Sequence, residues 1–170
     1  AQHLGISMIH QELNLMSHLT VAQNIFIGRE KLDRSRLFLD EKWIEAETRK
    51  LLGLLHLDID PRTKAGELTV AKQQMVEIAK ALSLNAEVLI MDEPTASLTE
   101  SEIEDLFSII RKLREEGVGI IYISHRMEEL KKISDRITVL RDGNYIDTLP
   151  TESTEISTII KLMVGRTIYA

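Results

Sequence analysis

The sequence predicts an α/β fold built on a mainly parallel sheet. Three observations point there. Val88-Leu89-Ile90-Met91 and Gly119-Ile120-Ile121-Tyr122-Ile123 are short, continuous apolar runs. Runs of that length without polar alternation suit strands buried on both faces of a parallel sheet. Between them, Thr99-Glu100-Ser101-Glu102 is a T-x-x-E capping box, and it opens a helix whose Ile103, Leu106, Phe107, Ile110 and Leu113 share one stripe. Strand, crossover helix and strand form a right-handed βαβ unit, so both strands end on one edge of the sheet.

The other elements follow in chain order. Gly5 to Ile9 is a short apolar run, read as a strand that ends at the polar step His10-Gln11-Glu12. Thr20 can cap a short helix through Ile27, with Gly28 as its stop. Residues 29–39 are charged and irregular. Asp40 can cap a helix to about Leu57, with Ile44, Leu51, Leu52 and Leu55 facing inward, before Asp58-Ile59-Asp60-Pro61 breaks it. Thr69 caps the next, on which Met75, Val76, Ala79 and Leu82 share a face, and Asn85 ends it. After Ser124-His125 the pattern predicts a helix over about 127–134. A hairpin about Asp142-Gly143 follows, then a helix over about 155–164 carrying Ile156, Ile159, Ile160 and Met163. Gly117 is the natural stop of the capped helix before the second apolar run.

Composition narrows the function classes. The 170 residues are 44% hydrophobic and 28% charged, ordinary for a globular chain. No cysteine is present, which excludes disulfides, thiolate metal sites and cysteine nucleophiles. Lys and Arg number 21 against 27 Asp and Glu, a net charge of −6, and no basic excess favours nucleic acid. No stretch approaches the roughly 18 apolar residues of a membrane span. The start, Ala1-Gln2-His3-Leu4-Gly5, carries neither an initiator Met nor the pattern of a signal peptide. It reads as the start of an excised piece.

The polar steps at the strand ends carry the chemistry. Asp92 and Glu93 follow one apolar run and Ser124-His125 follows the other. Open α/β sheets bind ligands beyond the carboxyl ends of their strands, and Gln11 can join that rim. A carboxylate held there suits Mg²⁺ through water, and a second carboxylate suits activation of an attacking water. A histidine nearby could contact a terminal phosphate. Singly, each has a plainer reading: an Asp-Glu pair after a strand is often a solvated turn, and a lone His is more often structural. Their convergence on one rim is what favours phosphoanhydride chemistry.

These residues also carry a family resemblance. Val88-Leu89-Ile90-Met91-Asp92-Glu93-Pro94-Thr95 resembles the Walker B strand and catalytic Glu of ABC-transporter ATPases. Ile121-Tyr122-Ile123-Ser124-His125 resembles their H-loop, and Ile9-His10-Gln11-Glu12 their Q-loop. Leu68-Thr69-Val70-Ala71-Lys72-Gln73-Gln74 stands where the family has its LSGGQ signature, and Ala96-Ser97-Leu98-Thr99 at its D-loop. His10 to Leu15, Gln74 to Lys80, Tyr122 to Arg126 and Leu162-Met163-Val164-Gly165-Arg166 are similar to monosaccharide importers of the ribose/galactose/xylose type, at the close of the first of their two ATPase domains.

The resemblance implies a partial P-loop NTPase fold with a helical subdomain over about 12–84, within an ATPase domain over 1–150 closed by a helix in 151–170. It implies ATP and Mg²⁺. Glu93 would be the general base, Asp92 would hold Mg²⁺ through water, and His125 would contact the γ-phosphate. Gln11 would sense the metal and water. Thr69, Val70, Ala71, Lys72 and Ser97 would face ATP bound on an opposing ATPase domain. Implied partners are transmembrane permease subunits, docking near residues 12–45, a second ATPase domain and, indirectly, a sugar-binding protein, at the cytoplasmic face of the cell membrane. The signature departs at Ala71 and Lys72, and Thr99 stands where the D-loop often ends in Asp. Those departures leave a non-catalytic, regulatory ABC domain as the alternative.

None of the eight glycines (5, 28, 53, 66, 117, 119, 143 and 165) is followed by Lys, so the phosphate-cradling G-x-x-x-x-G-K-[ST] loop is not in this sequence. The family has that loop, with the N-terminal strands, upstream of the Q-loop. Calorimetry of this 170-residue chain with Mg-ATP is therefore expected to show no binding in the micromolar range, since the loop supplies most phosphate contacts.

Overall fold

The computed structural model describes residues 4–32, 38–84 and 86–165. The helix end expected at Asn85, part of the irregular 29–39 segment and Arg166 of the closing motif lie outside the described residues. The chain divides into two compact units, Ala1–Ile123 and Ser124–Ala170.

In the first unit, β1 (Ile6–Ile9), β2 (Val88–Asp92) and β3 (Gly119–Ile123) form a parallel sheet in that order. Ile9 pairs with Met91, Met91 with Tyr122 and Asp92 with Ile123. The crossover between β2 and β3 is α4 (Glu100–Glu115). Its start is the predicted capping box: Thr99 accepts from the Glu102 amide, and the Glu102 carboxylate accepts from the Thr99 amide at 2.8 Å. Gly117 takes φ +90° just beyond its end, as a left-handed helix stop requires.

The sheet is buried on one face only, against the expectation of strands buried on both. Leu89 and Met91 are 2% and 0% exposed, whereas Val88 and Ile90 are half-buried. On β3, Ile121 and Ile123 are 52% and 45% exposed. Phe107 of α4 meets Tyr122 edge-to-face at 6.4 Å, so α4 covers the face that carries Met91. The opposite face carries Met8, Ile90 and Ile121 in register, with Met8 and Ile121 41% and 52% exposed.

A helical layer occupies the chain between β1 and β2. It comprises α1 (Val21–Phe26), α2 (Glu41–Leu54), a 3₁₀ turn (Ala65–Glu67) and α3 (Val70–Leu82). Thr20, Asp40 and Thr69 cap the three helices with their side-chain oxygens. Helix α2 stops three residues short of the expected Leu57. Leu55 bonds back to Leu51 and Leu52, and His56 turns to φ +52°. Val21, Ile25, Leu52, Leu55, Met75, Val76 and Ile78 are essentially inaccessible and form this layer's core. The Phe26 and Trp43 rings cross at 5.4 Å.

One buried polar residue organises the entry to this layer. Asn24 is 1% exposed. Its carbonyl oxygen accepts from the Met16 amide at 2.7 Å, and its amide nitrogen donates to Met16, Leu19 and Thr20 carbonyls at 3.0–3.3 Å. A single side chain thus replaces a turn of backbone pairing over residues 16–20.

The second unit holds α5 (Met127–Ile133), the antiparallel pair β4 (Arg136–Arg141) and β5 (Asn144–Pro150), and α6 (Ile156–Val164). Asp142 and Gly143 both take positive φ, +52° and +75°, as the predicted Asp-Gly hairpin turn demands. Ile137 and Val139 of β4 and Ile159 of α6 are buried, and α6 packs on β4. Arg141 Nη1 donates to the Leu162 carbonyl at 2.9 Å and satisfies the end of α6. Gly165, at φ +72°, closes that helix, and a Cβ there would lie 2.6 Å from Arg141 Nη1. Among the described residues no helix is long and apolar enough to cross a membrane.

Replacing Asn24 with Ala should strand the Met16 amide, while the Met16, Leu19 and Thr20 carbonyls each keep a backbone donor. The expected loss is about 2 kcal/mol of unfolding free energy, read as a lower urea midpoint at unchanged slope.

Candidate functional site

Register builds the site. Ile9 and Met91 are paired across β1 and β2, and Gln11 and Glu93 each lie two residues farther on. Their side chains meet beyond the carboxyl ends of the strands: Gln11 Nε2 donates to Glu93 Oε2 at 3.3 Å, across 82 positions of sequence. Asp92 is the last residue of β2, half-buried, beside Ile123. Three of the residues predicted for the rim, Gln11, Asp92 and Glu93, therefore share one edge of one sheet.

Glu93 occupies an unusual backbone position. Its φ is +46°, in the left-handed region that costs an L-residue with a Cβ roughly 1–2 kcal/mol. The conformation persists because its neighbours over-determine it. The Glu93 amide donates to the Ile123 carbonyl at 2.9 Å, continuing the β2–β3 ladder, and its own carbonyl accepts from Ala96 at 3.3 Å, starting the turn that follows. The strand thus hands its last bond to a residue that already bends away. Pro94 and Thr95, both buried, anchor the turn. Ser97 is exposed at its far side, before the Thr99 cap.

Four more of the predicted residues lie in the helical layer. Thr69, Val70, Ala71 and Lys72 form the cap and first turn of α3. The Thr69 hydroxyl accepts from the Lys72 amide at 3.3 Å. Val70 is 56% exposed and Lys72 is also exposed, with Ala71 half-buried between them. This helix start presents first-turn backbone amides and a cation on a solvent-facing turn, a combination suited to an anion. His125 lies two residues past Ile123 along the chain, in the second unit, where its side chain is exposed.

Sequence reasoning did not find two features. The Asn14 amide donates to Glu77 Oε1 at 3.0 Å, which ties the segment after Gln11 to α3, the helix that begins at Thr69. Glu77 looks like any surface residue in the sequence, so no local signal marks it. The second is a groove of about 470 Å³ beside α1 and α2, lined by residues including Leu19, Gln23, Ile27, Ile44, Pro61 and Arg62. Arg62 pairs with Glu45 there at 2.8 Å. The guanidinium hydrogen bond holds the Glu45 carboxyl below its ordinary range.

Among the described residues no group of three or more His, Asp or Glu side chains could hold a metal by itself. Asp92 and Gln11 nevertheless supply oxygen donors of the kind a hard cation takes, with water and a ligand's own oxygens completing its shell. The donor set therefore fits Mg²⁺ bound together with a phosphate-bearing ligand.

Comparison with known proteins identifies a family. Residues 1–96 match the family described as ABC transporter. A protein of Burkholderia cenocepacia (strain HI2424) named as a ribose/galactose/methyl galactoside import ATP-binding protein is 60% identical over 166 residues, 98% of this chain and 32% of its own length. Similarly named proteins of Albidiferax ferrireducens (58% identical; 98% of this chain, 33% of theirs) and Agrobacterium fabrum (56%; 96% and 32%) also match. The chain thus spans about a third of the length of the curated relatives it matches. A solved structure of an ATP-binding cassette of an ABC transporter superposes with a TM-score of 0.76 at 25% identity, covering 95% of this chain and 69% of that one.

The strain at Glu93 is directly testable. Glu93→Gly and Glu93→Ala both delete the contact to Gln11, so their difference isolates the backbone. Glycine should be the more stable by about 1 kcal/mol, measured by urea denaturation.

Proposed function

The chain belongs to the ABC transporter family, and from that premise we propose that it is part of the ATP-hydrolysing motor of a monosaccharide importer. The observation that carries the reading is the contact of Gln11 with Glu93 at the carboxyl edge of β2. It joins an amide and a carboxylate from distant segments where an open α/β sheet receives its ligand. The relatives' names supply the sugar class, ribose, galactose or methyl galactoside.

Each residue has a task in this reading. Glu93 accepts a proton from the attacking water, with its carboxylate held beside Gln11. Gln11 orients that carboxylate through Nε2 and offers its own oxygen toward the water. His125 donates to the terminal phosphate. Thr69 to Lys72 and Ser97 face the phosphates of ATP carried by an opposing ATPase domain, with the α3 amides and the Lys72 charge favouring the anion. Asp92 and Gln11 would hold Mg²⁺, which when bound neutralises charge on the phosphate oxygens. The phosphate cradle itself would come from residues beyond this sequence.

Transmembrane permease subunits would dock on the groove between α1 and α2, in or near residues 12–45. Its lining sets Glu30, Glu41 and the Glu45–Arg62 pair beside Leu19, Ile27 and Ile44, which suits an amphipathic helix with a basic flank, and the Asn14–Glu77 contact connects that region to α3. A sugar-binding protein would take part only through the permease. This assembly sets the motor at the cytoplasmic face of the membrane.

Glu93→Gln in the full-length importer tests the proposal. ATP turnover should fall about 100-fold or more, as removal of a general base predicts, with ATP affinity retained. Unchanged turnover and transport would favour a non-catalytic domain, for which the Ala71 and Lys72 departures are the supporting feature.

A further inference from the structure

The segment that carries His125 is tethered on both sides by a buried carboxylate. Glu129 lies in the first turn of α5 and is 4% exposed. Its Oε2 accepts from the Ser124 hydroxyl at 3.2 Å, and its Oε1 accepts from Arg126 Nη1 at 2.8 Å. The Ser124 oxygen in turn accepts from the Arg126 amide at 3.0 Å, closing a small turn around residue 125. The residues before and after His125 are therefore both bonded to one side chain, and His125 between them is exposed.

We infer that Glu129 is a positioning residue, whose task is to hold the Ser124-His125-Arg126 turn so that the imidazole is presented in one orientation. The physical case rests on cost. A carboxylate taken out of water at this depth is unfavourable unless charge and hydrogen bonds compensate it. An apolar residue would satisfy the packing of α5 beside Met127, Leu130 and Ile133 more cheaply. What the carboxylate adds is a two-pronged acceptor that fixes a hydroxyl and a guanidinium at a set separation. Those two groups are the immediate neighbours of the histidine. Preorganising a side chain through its neighbours is how a reacting geometry is kept within tolerance. The inference rests on the reading of His125 as the phosphate contact.

The test uses the full-length protein with ¹³C-labelled histidine, and compares Ser124→Ala, Glu129→Gln and His125→Ala. The His125 ring signal is identified as the one lost in His125→Ala. Both Ser124→Ala and Glu129→Gln should shift or broaden that signal without nucleotide present, and leave the other histidines in place. Both should lower kcat roughly tenfold or more, with KM for ATP within about twofold. Should Glu129→Gln fail to fold, Ser124→Ala carries the same comparison with one hydroxyl removed. An unmoved His125 signal with unchanged kcat per folded molecule overturns the inference, even if the melting temperature falls. A fully active His125→Ala overturns the phosphate-contact reading instead, and the ring signal still decides whether Glu129 holds the turn.

Discussion

Parallel pairing of β1 with β2 is the constraint on which the rest depends. Four residue pairs, from Ile6 with Val88 to Ile9 with Met91, set the register. Between these strands the chain makes the entire helical layer before it returns. The sheet can form only if that layer folds so that its two ends come back side by side. Val21, Ile25, Met75 and Val76, all buried, supply the apolar contact that makes the excursion compact. Slipping the register by one residue would exchange the buried Ile9 and Leu89 for the half-exposed side. It would also carry Gln11 away from Glu93. One pairing thus serves both packing and the Gln11–Glu93 contact.

The second strand pair works differently. Between β2 and β3 the connection is one helix, capped at Thr99 and stopped near Gly117, and all its information is local. The last bond of that ladder, from Glu93 to Ile123, is made by a residue in a left-handed conformation. The sheet ends there because residue 93 satisfies the ladder with its amide while its φ diverts the chain. The turn that follows then delivers Thr99 to its capping position.

Much of this was legible in the sequence, because the signals were short-range. Thr20, Asp40, Thr69 and Thr99 each stood one residue before an apolar period, and each caps a helix. Asp142-Gly143 announced the hairpin turn. The parallel direction of β2 and β3 followed from a crossover of helical length. What could not be read depended on distant partners. Asn24 resembles any polar residue inside a helix until the carbonyls of residues 16–20 gather around it. Glu129 sits among charges in Met127-Glu128-Glu129-Leu130-Lys131 and is told from Glu128 only by burial. The apolar run at 88–91 suggested two covered faces, but hydrophobicity reports what a strand tolerates and not which neighbours arrive. The positive φ of Glu93 had no marker, since Gly or Asn would have been the natural choice there.

The contact between Gln11 and Glu93 is long at 3.3 Å and open to solvent, so it contributes little to holding the fold together. Water or an arriving oxyanion can take either partner's place at small cost. Placement of the two groups is inherited from the strands behind them and survives the loss of the bond itself. The candidate site is therefore energetically decoupled from its scaffold, and evolution could retune its edge without renegotiating how the chain folds.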